Sequence, residues 1–214
     1  MIHVFRSRST AALASLFIFL SFPAYSGVWV ELKNHEKMEL QKVEDPSVNL
    51  QGDLTLGLDA LESAFNEASE TELKDHFGES KDMRTFYSKL IEEDDIIPFR
   101  QKQITWIRAV LNNNLVGWMT LSPNFRESGT VYVSTLVVSP HKKNLGIGQK
   151  LLKSIAENWF PETNELNLVV RKINHRAIRF YKKLGFVEAP DIDSPFVGNP
   201  LHCFFMRLVL QKMH

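Results

Sequence analysis

The sequence predicts one α/β domain of mixed (α+β) type: a central, mostly antiparallel twisted sheet flanked by helices. Three observations lead there. Hydrophobic residues make up 44 % and charged residues 23 % of a 214-residue chain, a globular balance with enough length for one substantial core. Three runs rich in β-branched and aromatic residues lie between residues 105 and 138, joined by short links. Beyond Ser139-Pro140 the pattern changes to alternating helix and strand.

In chain order, residues 1–26 stand apart. Arg6 and Arg8 precede an apolar run from Ala11 to Phe22, and Pro23-Ala24-Tyr25-Ser26 follows with small residues at the first and third places before a cut. That is the pattern of a cleavable signal peptide. At about 1.5 Å per residue the run spans roughly 18 Å as a helix, short of a bilayer core of about 30 Å. An exported (periplasmic or secreted) chain beginning at Gly27 is therefore expected, with no stable membrane insertion after cleavage. A misassigned start codon would instead leave the protein cytoplasmic. Removing residues 1–26 takes two arginines and no acid, leaving 23 basic against 25 acidic side chains.

Residues 27–37 read as a linker and Met38–Val43 as an opening strand, with one domain filling 38–214. Leu54, Leu58, Leu61 and Phe65 recur at helical spacing, as do Met83, Tyr87 and Leu90, and Leu73 with Phe77 suit a short helix between. Glu92-Glu-Asp-Asp95 breaks the pattern and reads as a solvated loop rather than an amine-binding patch. Thr105–Leu111, Leu115–Leu121 and Thr130–Val138 are the three strands of a meander, the first two joined by an asparagine turn tolerant of positive φ. Ile147, Leu151, Ile155 and Trp159 share a helical face that ends at Pro161. A strand at 165–170, a helix at 174–184 and strands at 186–189 and 201–210 complete the order.

Charge and cysteine content exclude several classes. Lys+Arg and Asp+Glu are both 25, so no global positive field recruits nucleic acid. The single cysteine, Cys203, rules out an intrachain disulfide and a cysteine-rich zinc site, and in an apolar strand it reads as a packing residue. The histidines show no metal-ligand spacing, and no metal is expected.

Chemistry concentrates in two places. His141-Lys-Lys-Asn-Leu-Gly146-Ile-Gly148-Gln149-Lys150 joins a strand directly to a helix. Glycines there admit a close phosphate, which unpaired N–H groups, the helix dipole and Lys142, Lys143 and Lys150 would attract. The plain alternative is a tight turn. A dinucleotide fingerprint would need a glycine where Leu151 stands, and a P-loop pattern is absent. The second place is Leu168-Val-Val-Arg-Lys-Ile-Asn174-His-Arg-Ala177-Ile-Arg-Phe-Tyr181-Lys-Lys-Leu-Gly185-Phe186. Asn174 suits an N-cap, Ile173 and Ile178 a hydrophobic staple, and Gly185 a left-handed C′ position. Tyr181 lies about two turns beyond Asn174 on nearly the same face, and capping does not account for it.

The glycine loop resembles motif A of the GNAT superfamily, [QR]-x-x-G-x-[GA], read from Lys143 through Gly146 to Gly148 with lysine in the first place. The second segment is similar to motif B of that superfamily, L-x-V-x-x-x-N-x-x-A-x-x-x-Y-x-x-x-G-F, at every anchor. Together they cover about 55 residues. The resemblance implies the GNAT acyl-CoA N-acyltransferase fold and transfer of acetyl from acetyl-CoA to a primary amine of a small-molecule or protein acceptor. It also implies that backbone groups around Leu136 and Val138 bond the pantetheine arm. The amides of Lys143, Asn144, Gly146, Ile147, Gly148 and Gln149 would hold the pyrophosphate, with Asn174 beside them. Tyr181 would protonate the departing CoA thiolate.

Many members carry a glutamate base on the fourth strand, where this chain has Ser134 and Thr135. A water relay or a carboxylate such as Asp191 or Asp193 could take its place. The missing glutamate also leaves open a non-catalytic acyl-CoA-binding module, and the leader an exported effector that meets its acetyl-CoA, a cytoplasmic metabolite, in another cell. The helix and strand motifs look most like those of ribosomal-protein N-terminal acetyltransferases.

Overall fold

A computed structural model describes residues 27–45, 47–77, 83–189 and 202–210. Eight strands form one sheet in the order β1-β2-β3-β4-β5-β6-β8-β7: Gly27–Glu31 (β1), Lys37–Val43 (β2), Thr105–Leu111 (β3), Asn114–Pro123 (β4), Thr130–Val138 (β5), Glu165–Arg171 (β6), Val187–Glu188 (β7) and Cys203–Val209 (β8). Every pairing is antiparallel except β5 with β6. The predicted fold class is observed.

Gly27–Glu31 was expected as linker but is a strand. Its backbone pairs with β2 from Gly27↔Gln41 to Glu31↔Lys37, and Trp29 on this edge is 64 % exposed. Val28 and Val30 turn toward the core while Trp29 faces out, but an alternation of five residues is too short to stand out from a connection. The asparagine turn is as expected: Asn112 and Asn113 take φ of 51° and 62°, the two left-handed residues that match a tight hairpin to strand twist.

Helices cover both faces. On one, Ile147–Ser154 (α5) and His175–Lys183 (α6) pack on β-strand side chains such as Met119, Val131, Val133 and Leu168. A π-helical turn, Ile155–Trp159, extends α5 to the stop at Pro161. On the other face lie Gln51–Ala64 (α1), Glu70–Phe77 (α2), Met83–Ile91 (α3) and Ile97–Arg100 (α4), with Leu58, Phe65, Ile91 and Phe99 against Trp106, Trp118 and Val137.

That second layer is pinned by a buried charge. Asp53 is 1 % exposed, and its carboxylate accepts Arg108 Nε at 2.8 Å and Trp106 Nε1 at 3.2 Å. Trp118 Nε1 donates to the Asp53 carbonyl at 2.9 Å, and the two indoles stack at 4.6 Å. The start of α1 is thereby fixed to β3 and β4.

Glu92-Glu-Asp-Asp95 is not a solvated loop. Glu92–Ile96 is a π-helical turn joining α3 to α4, and Asp95 is 1 % exposed beneath the sheet. A run of acids carries no periodicity that could reveal which one turns inward.

Candidate active site

The parallel pairing of β5 with β6 stops early. It runs from Thr130↔Glu165 to Val133↔Leu168; beyond that β6 continues against β8 alone and β5 against β4 alone. The β4–β5 register shifts between Thr120 and Leu121, a bulge that bends the strand where the opening begins. Ser139 N–H donates to the Val116 carbonyl, so by antiparallel alternation Val137 and Thr135 bond β4. The main-chain groups of Leu136 and Val138 face the opposite edge, where β6 has moved away. Among the described residues, a strand edge is thus left without its partner.

Directly after β5 comes the glycine loop. Ser139 caps a short 3₁₀ turn, Pro140–Lys142, and Asn144 (φ 67°) and Gly146 (φ 85°) then turn the chain left-handed into α5. The helix's first internal bond is Lys150 N–H to the Gly146 carbonyl, 2.9 Å, so the amides of Ile147, Gly148 and Gln149 lie at its positive end ahead of that bond. Gly148 is where α5 meets α6 closely: a methyl group in place of its hydrogen would lie 3.2 Å from Phe180 Cζ and 3.5 Å from Val138 Cγ2.

In α6, Asn174 Oδ1 accepts the Ala177 N–H at 3.1 Å, the predicted cap. Gly185 (φ 94°) follows the helix as its left-handed exit. Tyr181 packs its ring on Phe180 and Phe186, with centroids 5.3 and 5.5 Å away. Among the described residues its hydroxyl makes no hydrogen bond, and burial pushes the phenol pKa up, so it stays protonated well into the alkaline range.

These pieces line one cleft of about 450 Å³. Leu136, Val138, Lys143, Asn144, Gly146, Ile147, Gly148, Gln149, Asn174 and Tyr181 all border it. Residues the sequence did not single out complete it: Lys33 from the β1–β2 turn, Ser63 with two alanines from α1, and Arg176 and Phe180 from α6. The cleft therefore passes between helices that cover opposite faces of the sheet. Lys143 Nζ donates to Ser63 Oγ at 2.7 Å across it; burial, then the nearby Arg176 charge, lowers the lysine pKa. An Arg179–Glu67 ion pair at 2.6 Å and a His175–Glu72 hydrogen bond at 3.0 Å run from α6 to the α1–α2 side and tie the walls together. Lys33, Lys142, Lys143, Arg176 and Lys183 give the cleft a positive rim suited to phosphate.

Cys203 lies on β8 opposite Arg171, and burial raises its thiol pKa, which disfavours a nucleophilic thiolate. Asp191 and Asp193 fall outside the described residues, as does the leader at 1–26. Among the described residues no group of His, Cys, Asp or Glu is placed to hold a metal, and no helix is long and apolar enough to cross a membrane.

The model of the acetyltransferase (GNAT) family matches residues 61–186. Among solved structures, the chain is similar to PaiA N-acetyltransferase from Thermoplasma acidophilum in complex with coenzyme A. Identity is 20 %, the TM-score 0.57, and the match covers 81 % of this chain and 99 % of that one. An acetyltransferase of the GNAT family from Staphylococcus aureus aligns at 19 % identity and TM-score 0.54, over 80 % of this chain and 99 % of that chain. The ribosomal-protein-S18-alanine N-acetyltransferase from Escherichia coli aligns at 16 % identity and TM-score 0.53, over 83 % and 96 %. At such identities the likeness carries the fold. No curated protein sequence matches significantly.

Proposed function

The chain belongs to the acetyltransferase (GNAT) family and is an acyltransferase; from that premise we propose that it moves the acetyl group of acetyl-CoA directly onto a primary amine in a ternary complex. The observation that carries the reading is the single cleft joining a glycine loop, an unpartnered strand edge and a protonated tyrosine. The amides of Ile147, Gly148 and Gln149, at the positive end of α5 and bordering the cleft, suit a pyrophosphate. Cations at the rim favour the remaining phosphate charge. The free main-chain groups of Leu136 and Val138 suit the amides of the pantetheine arm.

In the reaction a neutral amine attacks the thioester carbonyl, and a strand N–H holds the oxyanion. The C–N bond forms, the C–S bond breaks, and Tyr181 gives its proton to the thiolate. The acceptor is an amine on a small molecule or a protein; no nucleic-acid partner is invoked. Residues 1–26 are a signal peptide in this reading, which places the mature chain outside the cytoplasm.

The test is release of free CoA thiol by the purified chain with a panel of spermidine, free lysine and an alanine-starting peptide, beside calorimetric binding of CoA. Turnover with any amine supports the proposal. Tight binding with no turnover would leave the acceptor side inactive and favour a CoA-binding module. Neither binding nor turnover would refute the assignment of the cleft.

A further inference from the structure

Asp95 is a carboxylate carried inside the protein by the π-helical turn between α3 and α4. Burying an acid is costly unless its charge is met, and two hydroxyls are among the groups that meet it here. Thr135 donates to Oδ2 at 2.7 Å, and Thr120 donates to Oδ1. The two threonines face each other across β4 and β5 at the last register pair before the bulge. A helix bulge that sends one acid to the mouth of an opened sheet is an unusual arrangement for packing alone, since π-bulges concentrate at functional sites.

Position separates the two threonines. Thr120 is fully buried, whereas Thr135 is half-buried and lies on the part of β5 that β6 has left. The next residue, Leu136, borders the cleft. Thr135 also sits on the sheet face opposite α5 and α6, the face on which Asp95 lies. An amine meeting a thioester threaded through the opening would approach from there. Among the described residues, Arg84 pairs with Asp59 and Glu62, Lys89 pairs with Glu93, and Arg100 is exposed, while Asp95 has a further interaction besides the two hydroxyls.

We propose that Thr135 takes the proton of the attacking amine and passes its own to Asp95. The inference rests on the acyl-transfer reading above. The bound ammonium first gives a proton to Thr135 Oγ1 while the threonine's hydroxyl proton moves to Asp95 Oδ2; the neutral amine then forms the C–N bond and passes its second proton to Tyr181, which has protonated the thiolate. Threonine ends neutral, Asp95 ends as the carboxylic acid, and the nitrogen becomes the amide. Reversal through Thr135 after product leaves returns the proton to water. Thr135 is the catalytic residue, and Asp95 positions it and stores the proton.

The experiment measures thiol release against pH for wild type, Thr135→Val, Thr135→Ser and Asp95→Asn, using the fastest amine of the panel. Thr135→Val keeps the side-chain shape and removes the hydroxyl. Its kcat at pH 7 falls about 100-fold, a usual size for lost proton transfer. KM for acetyl-CoA stays constant, and the deficit closes as pH approaches the amine's own pKa, near 10.4 for a lysine-like amine. Thr135→Ser restores most of the rate, and Asp95→Asn reproduces the Thr135→Val profile. Should Asp95→Asn fail to fold, the Val and Ser variants decide the matter. A wild-type rate in Thr135→Val, or a deficit equal at every pH and not repaired by serine, overturns the relay while leaving acyl transfer standing. A wild type that binds CoA and acetylates nothing overturns both.

Discussion

Replacing Tyr181 with phenylalanine isolates one hydroxyl. The ring keeps its contacts to Phe180 and Phe186, and among the described residues no hydrogen bond is lost. No donor or acceptor is stranded, so stability should change by about 0.5 kcal/mol or less. The catalytic loss is different in kind. Without the phenol a thiolate must leave unprotonated, and general-acid contributions of about 10²- to 10⁴-fold correspond to roughly 3–5 kcal/mol of barrier. Thiol release should therefore fall at least 100-fold in kcat, while CoA affinity and the urea midpoint hold. The raised pKa adds a second readout. The unfolded phenol ionises near its ordinary 10.0 and the buried one higher, so above pH 10 the unfolded chain gives up a proton that the folded chain keeps. Stability tied to Tyr181 is fully present below that pH and is lost as pH rises toward the folded pKa. The phenylalanine variant should lose stability less steeply between pH 10 and 11. Wild-type turnover in this variant would return Tyr181 to a packing role and remove the general acid from the mechanism.

Gly146→Asp puts a side chain and a negative charge on a left-handed residue at the phosphate end of the cleft; calorimetry should show CoA binding weakened about 100-fold or more, and unchanged affinity would sink the loop assignment. Asp53→Ala strands the Arg108 guanidinium, which is 14 % exposed, and leaves Trp106 Nε1 without its acceptor. Urea unfolding should reveal a loss of about 3–5 kcal/mol, and a loss below about 1 kcal/mol would show that the pair does not anchor α1. At the N-terminus, mass spectrometry of native protein should find a chain starting at Gly27. Recovery of a peptide spanning Leu16–Leu20 from soluble mature protein would end the export proposal.

How much of this could be read without coordinates depends on the range of the forces involved. The Asn174 cap, the left-handed Gly185, the Asn112-Asn113 turn and the meander from Thr105 to Val138 were all legible, because each depends on residues a few positions apart. The ten candidate site residues were legible only through motif spacing; their meeting in one cleft depends on how α5, α6 and β5 pack. The strand at Gly27–Glu31 is hard to read because its alternation of Val28 and Val30 spans only five residues, and its pairing with β2 is what makes it a strand. Asp53 and Arg108, 55 positions apart, look like two ordinary surface charges until α1 is laid on β3. In the sequence Asp95 reads as one more solvated acid, and only the turn that carries it beneath Thr120 and Thr135 distinguishes it from Glu92 and Glu93. The sequence alone determined the family, the order of elements from the meander at Thr105 onward and much of the local backbone geometry. The opening between β5 and β6, and which charges lie inside the protein, were decided by tertiary structure, because desolvation and strand pairing are set by neighbours distant in the chain.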